Sequence, residues 1–424
     1  MVRKSVLPNG VRVLTEPMPQ AVSASIGIWV ENGSRYEEPS QSGVSHFIEH
    51  LLFKGTSKRT AAQIAEQIDA VGGVLNAFTG KEYTCYYAKV LGEDLAMATD
   101  LLADIFLGSV FDPAEIDRER QVVLQEISQA EDTPDDFIHD LFNESFWKGH
   151  PLSLPIFGSE ATVNRIDREL LTSFMAERYR AGRVFIAGAG VVDHDRLVED
   201  CARLFGGIQG DGRDEPTSPP SENPGVLNHE KKLEQAHLCI GGPAISQTHP
   251  LRYAAYVLNT ALGGAMSSRL FQEVREKRGR VYSIYSFMSS FLDCGYFAIY
   301  AGTNPEWVDE VIEVTLAEIS KVVREGLGQA ELARAKSQLK GNMLLGMEST
   351  DARMNRLARN EIYFRRDLSL EEIAKGIESV VNDQIAELAN LCFNASRMGM
   401  VVLGDLNGRE LGPEVWSPLQ QIVH

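Results

Sequence analysis

Between Gly210 and Gly225 the sequence reads GDGRDEPTSPPSENPG, with four prolines and almost no apolar side chain. A stretch of that composition cannot contribute to a hydrophobic core and reads as a linker. At 424 residues the chain is also too long for one ordinary core. These two facts predict an N-terminal domain over 1–209, a linker over 210–228 and a C-terminal domain over 229–424.

The two halves repeat one order of elements, as an internal duplication would. Each opens on an alternating run suited to a half-buried strand, Ser23 to Val30 (SASIGIWV) and Ala236 to Gly241 (AHLCIG). Each continues into paired strands, Val74 to Thr79 with Tyr83 to Val90, and Tyr282 to Phe291 with Tyr296 to Ala301. Long helical stretches follow, and each half closes on an apolar strand, Val184 to Val192 and Met398 to Leu403. Strands followed by segregated helices predict α+β domains, each an antiparallel or mixed sheet with helices packed on it.

Asp plus Glu exceeds Lys plus Arg by 59 to 41, a net charge of −18. That balance argues against a nucleic-acid partner, which needs a clustered basic face. The five cysteines are scattered and form no CxxC pair, so they read as reduced core residues. The opening MVRKSVLPNGVRVL has no apolar core of a secretory signal, and no apolar run approaches the ~20 residues that span a bilayer. Together these favour a cytoplasmic location and no membrane span. No nucleophilic triad, P-loop or dinucleotide fingerprint occurs.

The chemistry concentrates in Gly43 to Thr56, GVSHFIEHLLFKGT. His46 and His50 stand at i and i+4, a spacing that puts both imidazoles on one helical face within reach of one metal ion. Glu49 lies between them, placed to reach a water on that metal without ligating it. This H-x-x-E-H order reverses the commoner zinc motif and defines its own metallopeptidase class. Ser42 is the expected N-cap, with Phe47, Leu51 and Phe53 as apolar packing. A catalytic zinc takes three protein ligands and leaves a position for water, so a third must lie elsewhere. The best source is the helix expected over Pro113 to Gln129, capped by Asp112, with Val122, Val123 and Ile127 as its apolar side. Its Glu119 and Glu126 are two turns apart on one face, so one can ligate while the other orients a ligand or the water.

With HFIEHLLFKGT followed 80 residues later by the end of ERQVVLQE, the chain resembles the pitrilysin/insulinase metallopeptidases. It is nearest the beta-type subunits of the mitochondrial processing peptidase branch and their bacterial relatives. The resemblance implies two duplicated domains facing each other around a chamber and one zinc ion per chain. It assigns His46, His50 and Glu126 as zinc ligands, Glu49 as the base and Glu119 as the accessory carboxylate. It also makes the strand carrying Asn76, Ala77 and Phe78 a sheet edge that binds substrate as an added strand, a mode that tolerates many sequences. In the second half, Arg275 and Tyr282 fall on the family's substrate-carbonyl and oxyanion contacts. The family's regulatory subunits carry a long glycine-rich loop, reduced here to Leu262 to Ala265.

The implied activity is a zinc endopeptidase acting on peptides or on unfolded, presequence-like segments, and working as a homodimer. Two other readings stay open: a non-catalytic structural or regulatory subunit of the same fold, and a dedicated maturation protease for one peptide precursor.

Overall fold

The computed structural model describes residues 1–212 and 218–420. The chain divides into two compact units that are not its two contiguous halves. The first comprises Met1–Gln129, Leu154–Thr217 and Gly346–Asp367; the second comprises Ala130–Ser153, Ser218–Leu345 and Leu368–His424. The expected division at 210–228 thus misses an exchange of segments between the halves. Residues 213–217 of the expected linker lie outside the described residues, and its far end, Gly225–His229, is a strand.

The first unit is built on a six-stranded sheet: β1 (Arg3–Val6), β2 (Arg12–Pro17), β3 (Ser23–Val30), β4 (Val74–Thr79), β5 (Thr84–Leu91) and β6 (Val184–Gly190). Its order is β1-β2-β6-β3-β5-β4, antiparallel except for the parallel β2–β6 pair. The second unit carries β7 (Gly225–His229), β8 (Ala236–Ala244), β9 (Val281–Ser290), β10 (Gly295–Thr303) and β11 (Gly399–Leu403). Its order is β7-β11-β8-β10-β9, with β7–β11 parallel and the rest antiparallel. Strands β2 to β6 and β7 to β11 therefore repeat one topology in one chain order, and β1 is an addition at the first sheet's edge. The duplication is real at the level of hydrogen-bonded register.

Strand β3 is not half-buried. Ala24, Ile26, Ile28 and Val30 are all buried, the last three in one core, while Trp29 joins another formed with Met354, Leu357 and Ala358 of the helix Thr350–Phe364. The small residues that made the strand look amphipathic seat that helix. Ser25 Oγ lies 2.7 Å from Thr350 Oγ1, and a Cβ on Gly27 would meet Met354 Sδ at 3.1 Å. In the second unit the helix Pro134–Phe146 lies against Cys239, Tyr296, Ala298 and Val401 of the sheet, through Ile138, Phe142 and Phe146.

The two seats differ in kind. The helix Pro134–Phe146 packs through aromatic rings, with Phe142 5.3 Å from Tyr296. The helix Thr350–Phe364 is also pinned by charge. Glu361, whose side chain is 1% exposed, accepts from Lys4 at 2.7 Å and Arg12 at 3.1 Å; Arg12 pairs in turn with Glu31 at 2.6 Å. Arg356 reaches Glu16 at 2.8 Å. Removing one member of such a network strands the opposite charge away from water. Glu361→Ala should lower the unfolding free energy by about 3 kcal/mol, read as a lower urea midpoint. Asp195→Ala, which removes the exposed partner of Arg3, should leave the midpoint unchanged. Equal effects would contradict the network.

Candidate metal centre

The helix Val44–Leu52 lies under the first sheet because Val44, Phe47, Ile48, Leu51 and Leu52 are buried in its core. Its start differs from expectation: Ser42 makes no cap. Gly43 sits there at φ 95° and ψ −4°, a left-handed conformation that favours glycine, and a Cβ there would run into Phe157 O at 2.6 Å. The cap comes from Glu37, whose carboxylate accepts from the N–H groups of Gly43 and Ser45, both at 2.8 Å. Burial pushes the Glu37 carboxyl up to about 7, against the pull of those two N–H bonds.

His46 and His50 emerge from the other face, ring centroids 4.7 Å apart. The helix Pro113–Glu131 begins as expected, with Asp112 Oδ1 accepting from Ala114 N at 2.8 Å. Of its expected apolar side, Val123 is buried and Ile127 packs against the core, but Val122 is exposed. A 100° step per residue allows only one of two adjacent valines to face inward. This helix brings Glu126 Oε2 to 3.4 Å from His50 Nε2 and 3.8 Å from His46 Nε2. One donor atom from each of His46, His50 and Glu126 lies within 4.8 Å of the others.

The donor set fits a single metal ion. Ligand atoms around a tetrahedral zinc lie about 3.3 Å apart, close to the two distances observed. Glu126 Oε2 is buried with no hydrogen-bond partner, which is costly unless something else satisfies it. Burial, and next the neighbouring His50, push His46 down to about 4 and leave its ring neutral. Burial also lowers His50, but Glu126 and Glu119 outweigh it, so His50 is raised on balance. Protons therefore compete with a metal chiefly at His50.

Glu119 stands behind this set. Its side chain, 4% exposed, takes the His50 Nδ1–H at 3.1 Å on one oxygen and the Lys54 ammonium at 2.7 Å on the other. Because a carboxylate only accepts, this contact places the His50 proton on Nδ1 and turns the Nε2 lone pair toward Glu126. Glu49 is half-buried and accepts from Thr79 Oγ1 at 2.5 Å; burial raises its carboxyl above the ordinary value.

Sequence reasoning missed Glu37, Lys54 and Thr79. Lys54 carried a signal, one turn beyond His50 inside the same motif; Glu37 acts from the loop just before the helix, and only Thr79 depends on how more distant segments pack.

Strand β4 is the free edge of its sheet. Asn76 Oδ1 accepts from the Ala77 N–H at 2.8 Å, and the Phe78 ring packs within 5.6–6.3 Å of Trp29, Tyr83 and Tyr87. The Asn76 and Phe78 side chains are thus both engaged, and Asn76 itself takes the Ala77 N–H. The other two residues expected to take part, Arg275 and Tyr282, belong to the second unit. Arg275 lies over the Phe271 ring at 4.8 Å, on a short π-helix, and Tyr282 is 78% exposed at the start of β9, again an edge strand.

Residues 12–160 match the family described as Insulinase (Peptidase family M16), and 165–339 match the Peptidase M16 inactive domain. This chain belongs to the insulinase, or M16, peptidase family. Its likeness to bacterial relatives runs nearly end to end. It is 41% identical to the uncharacterized zinc protease SCO5738 of Streptomyces coelicolor, over 96% of this chain and 91% of that protein. It is 40% identical to the uncharacterized zinc protease YmxG of Bacillus subtilis, over 93% and 96% respectively. The fold matches a crystal structure of a peptidase M16 inactive domain from Pseudomonas fluorescens, with a TM-score of 0.90 at 20% identity, covering 97% of this chain and 99% of that one. A protease structure from Helicobacter pylori gives 0.88 at 22% identity, over 96% and 99%. In keeping with the second family match, the cluster that could hold a metal ion among the described residues of this M16 chain lies wholly within the first matched stretch. No helix among the described residues is long and apolar enough to cross a membrane.

Two measurements test the centre. If Glu126 ligates and Glu119 orients, Glu126→Gln should abolish tight zinc binding, and Glu119→Gln should weaken it roughly 10–100-fold; competition against a chelator dye ranks them, and the reverse order would contradict the assignment. For Glu37, a raised folded pKa means the contribution is fully present below the ordinary 4.5 and is lost as pH rises through about 7. Between pH 5 and 8 the metal-free wild type should therefore lose on the order of 2 kcal/mol more unfolding free energy than Glu37→Ala. Parallel pH profiles would show that Glu37 is not the titrating cap.

Proposed function

We propose that the chain is a zinc endopeptidase that hydrolyses peptides or unfolded polypeptide segments. The observation that carries this reading is the convergence of His46, His50 and Glu126, with Glu49 beside them and Glu119 fixing His50. The names of the bacterial relatives support zinc as the metal.

His46, His50 and Glu126 would hold one zinc ion per chain. Bound there, zinc supplies Lewis acidity that polarises the scissile carbonyl and brings the pKa of a bound water toward neutrality. Glu49 takes the proton of the attacking water and returns it to the leaving amine. The raised carboxyl of Glu49 suits the first half of that task, since the conjugate base of a weaker acid is a better proton acceptor. The peptide pairs along the β4 edge at Asn76 to Phe78, displacing the Asn76 side chain from the Ala77 N–H. Arg275 and Tyr282 are the proposed donors to the carbonyl and the developing oxyanion; the exposed Tyr282 hydroxyl supports their availability. The working form we propose is a cytoplasmic homodimer.

Glu49→Gln tests the reading most simply. The amide cannot accept the proton, so the variant should keep its zinc and lose nearly all cleavage of an internally quenched peptide library. Near wild-type cleavage would remove Glu49 from the chemistry. If Tyr282 acts only in the transition state, Tyr282→Phe should lower kcat roughly 10²–10³-fold with KM and zinc content little changed. A rise in KM alone would make Tyr282 a binding residue instead.

A further inference from the structure

Thr79 closes the edge strand β4, three residues beyond Asn76. It shares the face of Leu75 and Ala77, which pack into the core against the helix Val44–Leu52, so its hydroxyl points at that helix. There Oγ1 meets Glu49 Oε2 at 2.5 Å. A carboxylate only accepts, so Thr79 is the donor, and it is the one hydrogen-bond donor to this carboxylate among the described residues.

We infer that Thr79 is a positioning residue: it fixes the rotamer of the Glu49 side chain and holds one carboxylate oxygen, leaving the other free to take the proton. This rests on the reading of Glu49 as the base.

The structure backs Thr79 with rigid supports. The turn that follows it, Gly80 to Tyr83, is closed by Gly80 N to Tyr83 O at 2.8 Å. The backbone N–H groups of Ser34 and Arg35 donate to Gly80 O at 3.2 Å and Lys81 O at 2.8 Å. This approach is so close that a Cβ on Gly33 would fall 2.3 Å from Gly80 O. Glu82, in the same turn, is buried and held by Arg35 at 2.6 Å and by the Tyr363 hydroxyl at 2.9 Å. A turn clamped from two sides cannot drift. Thr79 therefore presents its hydroxyl from a fixed frame, as a group that must be held within a fraction of an ångström requires.

The strand whose free edge we propose to receive the peptide is also the strand that carries the donor to the base. Side chains alternate along a strand, so the edge backbone of Asn76 to Phe78 and the inward hydroxyl of Thr79 belong to one rigid element. Register of the bound peptide and orientation of the base are then set together.

Thr79→Val keeps shape and strand preference but removes the donor; Thr79→Ser keeps the donor on a smaller frame. With an internally quenched peptide that the wild type cleaves, Thr79→Val should lower kcat roughly 10–100-fold, as losing a hydrogen bond to a charged group would. KM and zinc content should stay within about twofold, and Thr79→Ser should recover most of the rate. The crystal structure of metal-free Thr79→Val is a readout independent of activity: the Glu49 carboxylate should leave its wild-type rotamer. Full activity in Thr79→Val, an effect on KM alone, a serine variant as impaired as the valine, or an unmoved Glu49 carboxylate would each overturn the inference. Glu49→Gln run beside them separates the two failures. An active Glu49→Gln sinks the assignment of the base, whereas an inactive Glu49→Gln with a fully active Thr79→Val sinks only the role of Thr79.

Discussion

A helix of nine residues is too short to persist in water by itself, so Val44–Leu52 exists because its apolar face is buried. Val44, Phe47, Ile48, Leu51 and Leu52 are each at most 1% exposed. That burial fixes the rotation of the helix about its axis, and the rotation decides where His46, Glu49 and His50 point. Everything in the metal centre follows: Glu126 has a facing partner, Glu119 has a ring nitrogen to hold, and Thr79 has a carboxylate to hold. The cap reinforces this choice, because Glu37 binds the two N–H groups at the start of the same helix. A rotation of one residue step would carry the histidines into the core.

Two repeats of one strand order make the frame, and in each the sheet is covered on one face by a helix from the other half of the sequence. The two equivalent covers use different chemistry. Aromatic packing seats Pro134–Phe146, whereas charge is added to an apolar seat for Thr350–Phe364. Charged contacts are directional, and their desolvation cost makes mispaired arrangements unfavourable, so they specify one register of the helix on its sheet. The two halves differ at their sites: the cluster of His46, His50 and Glu126 lies in the first, and among the described residues no such cluster lies in the second, which matches the M16 inactive domain.

What could be read in the sequence was local. The ends of β3 and β4 are legible because alternation and flanking glycines act over a few residues. His46 and His50 are legible because helical spacing puts both on one face whatever the fold around them; spacing alone leaves Glu119 and Glu126 open, and the choice of Glu126 rests on the family resemblance. Strands β1, β2 and β7 were not legible. In β2, RVLTEP points Arg12 and Glu16 inward, where partners some 340 residues away, Glu361 and Arg356, help make their burial tolerable. The exchanged helices were illegible for a related reason: amphipathicity says that a helix has a buried face, not which sheet buries it. Thr79 belongs to the same class, since it acts on a residue that its own strand does not contain.

The central claim is that His46, His50 and Glu126 hold a zinc ion. It is tested most directly by anomalous diffraction across the zinc edge, from zinc-equilibrated crystals of the full chain. The account predicts one strong peak per chain at about 2.0–2.2 Å from His46 Nε2, His50 Nε2 and the Glu126 carboxylate. No peak among these three side chains, or a peak bound by others in their place, would contradict it.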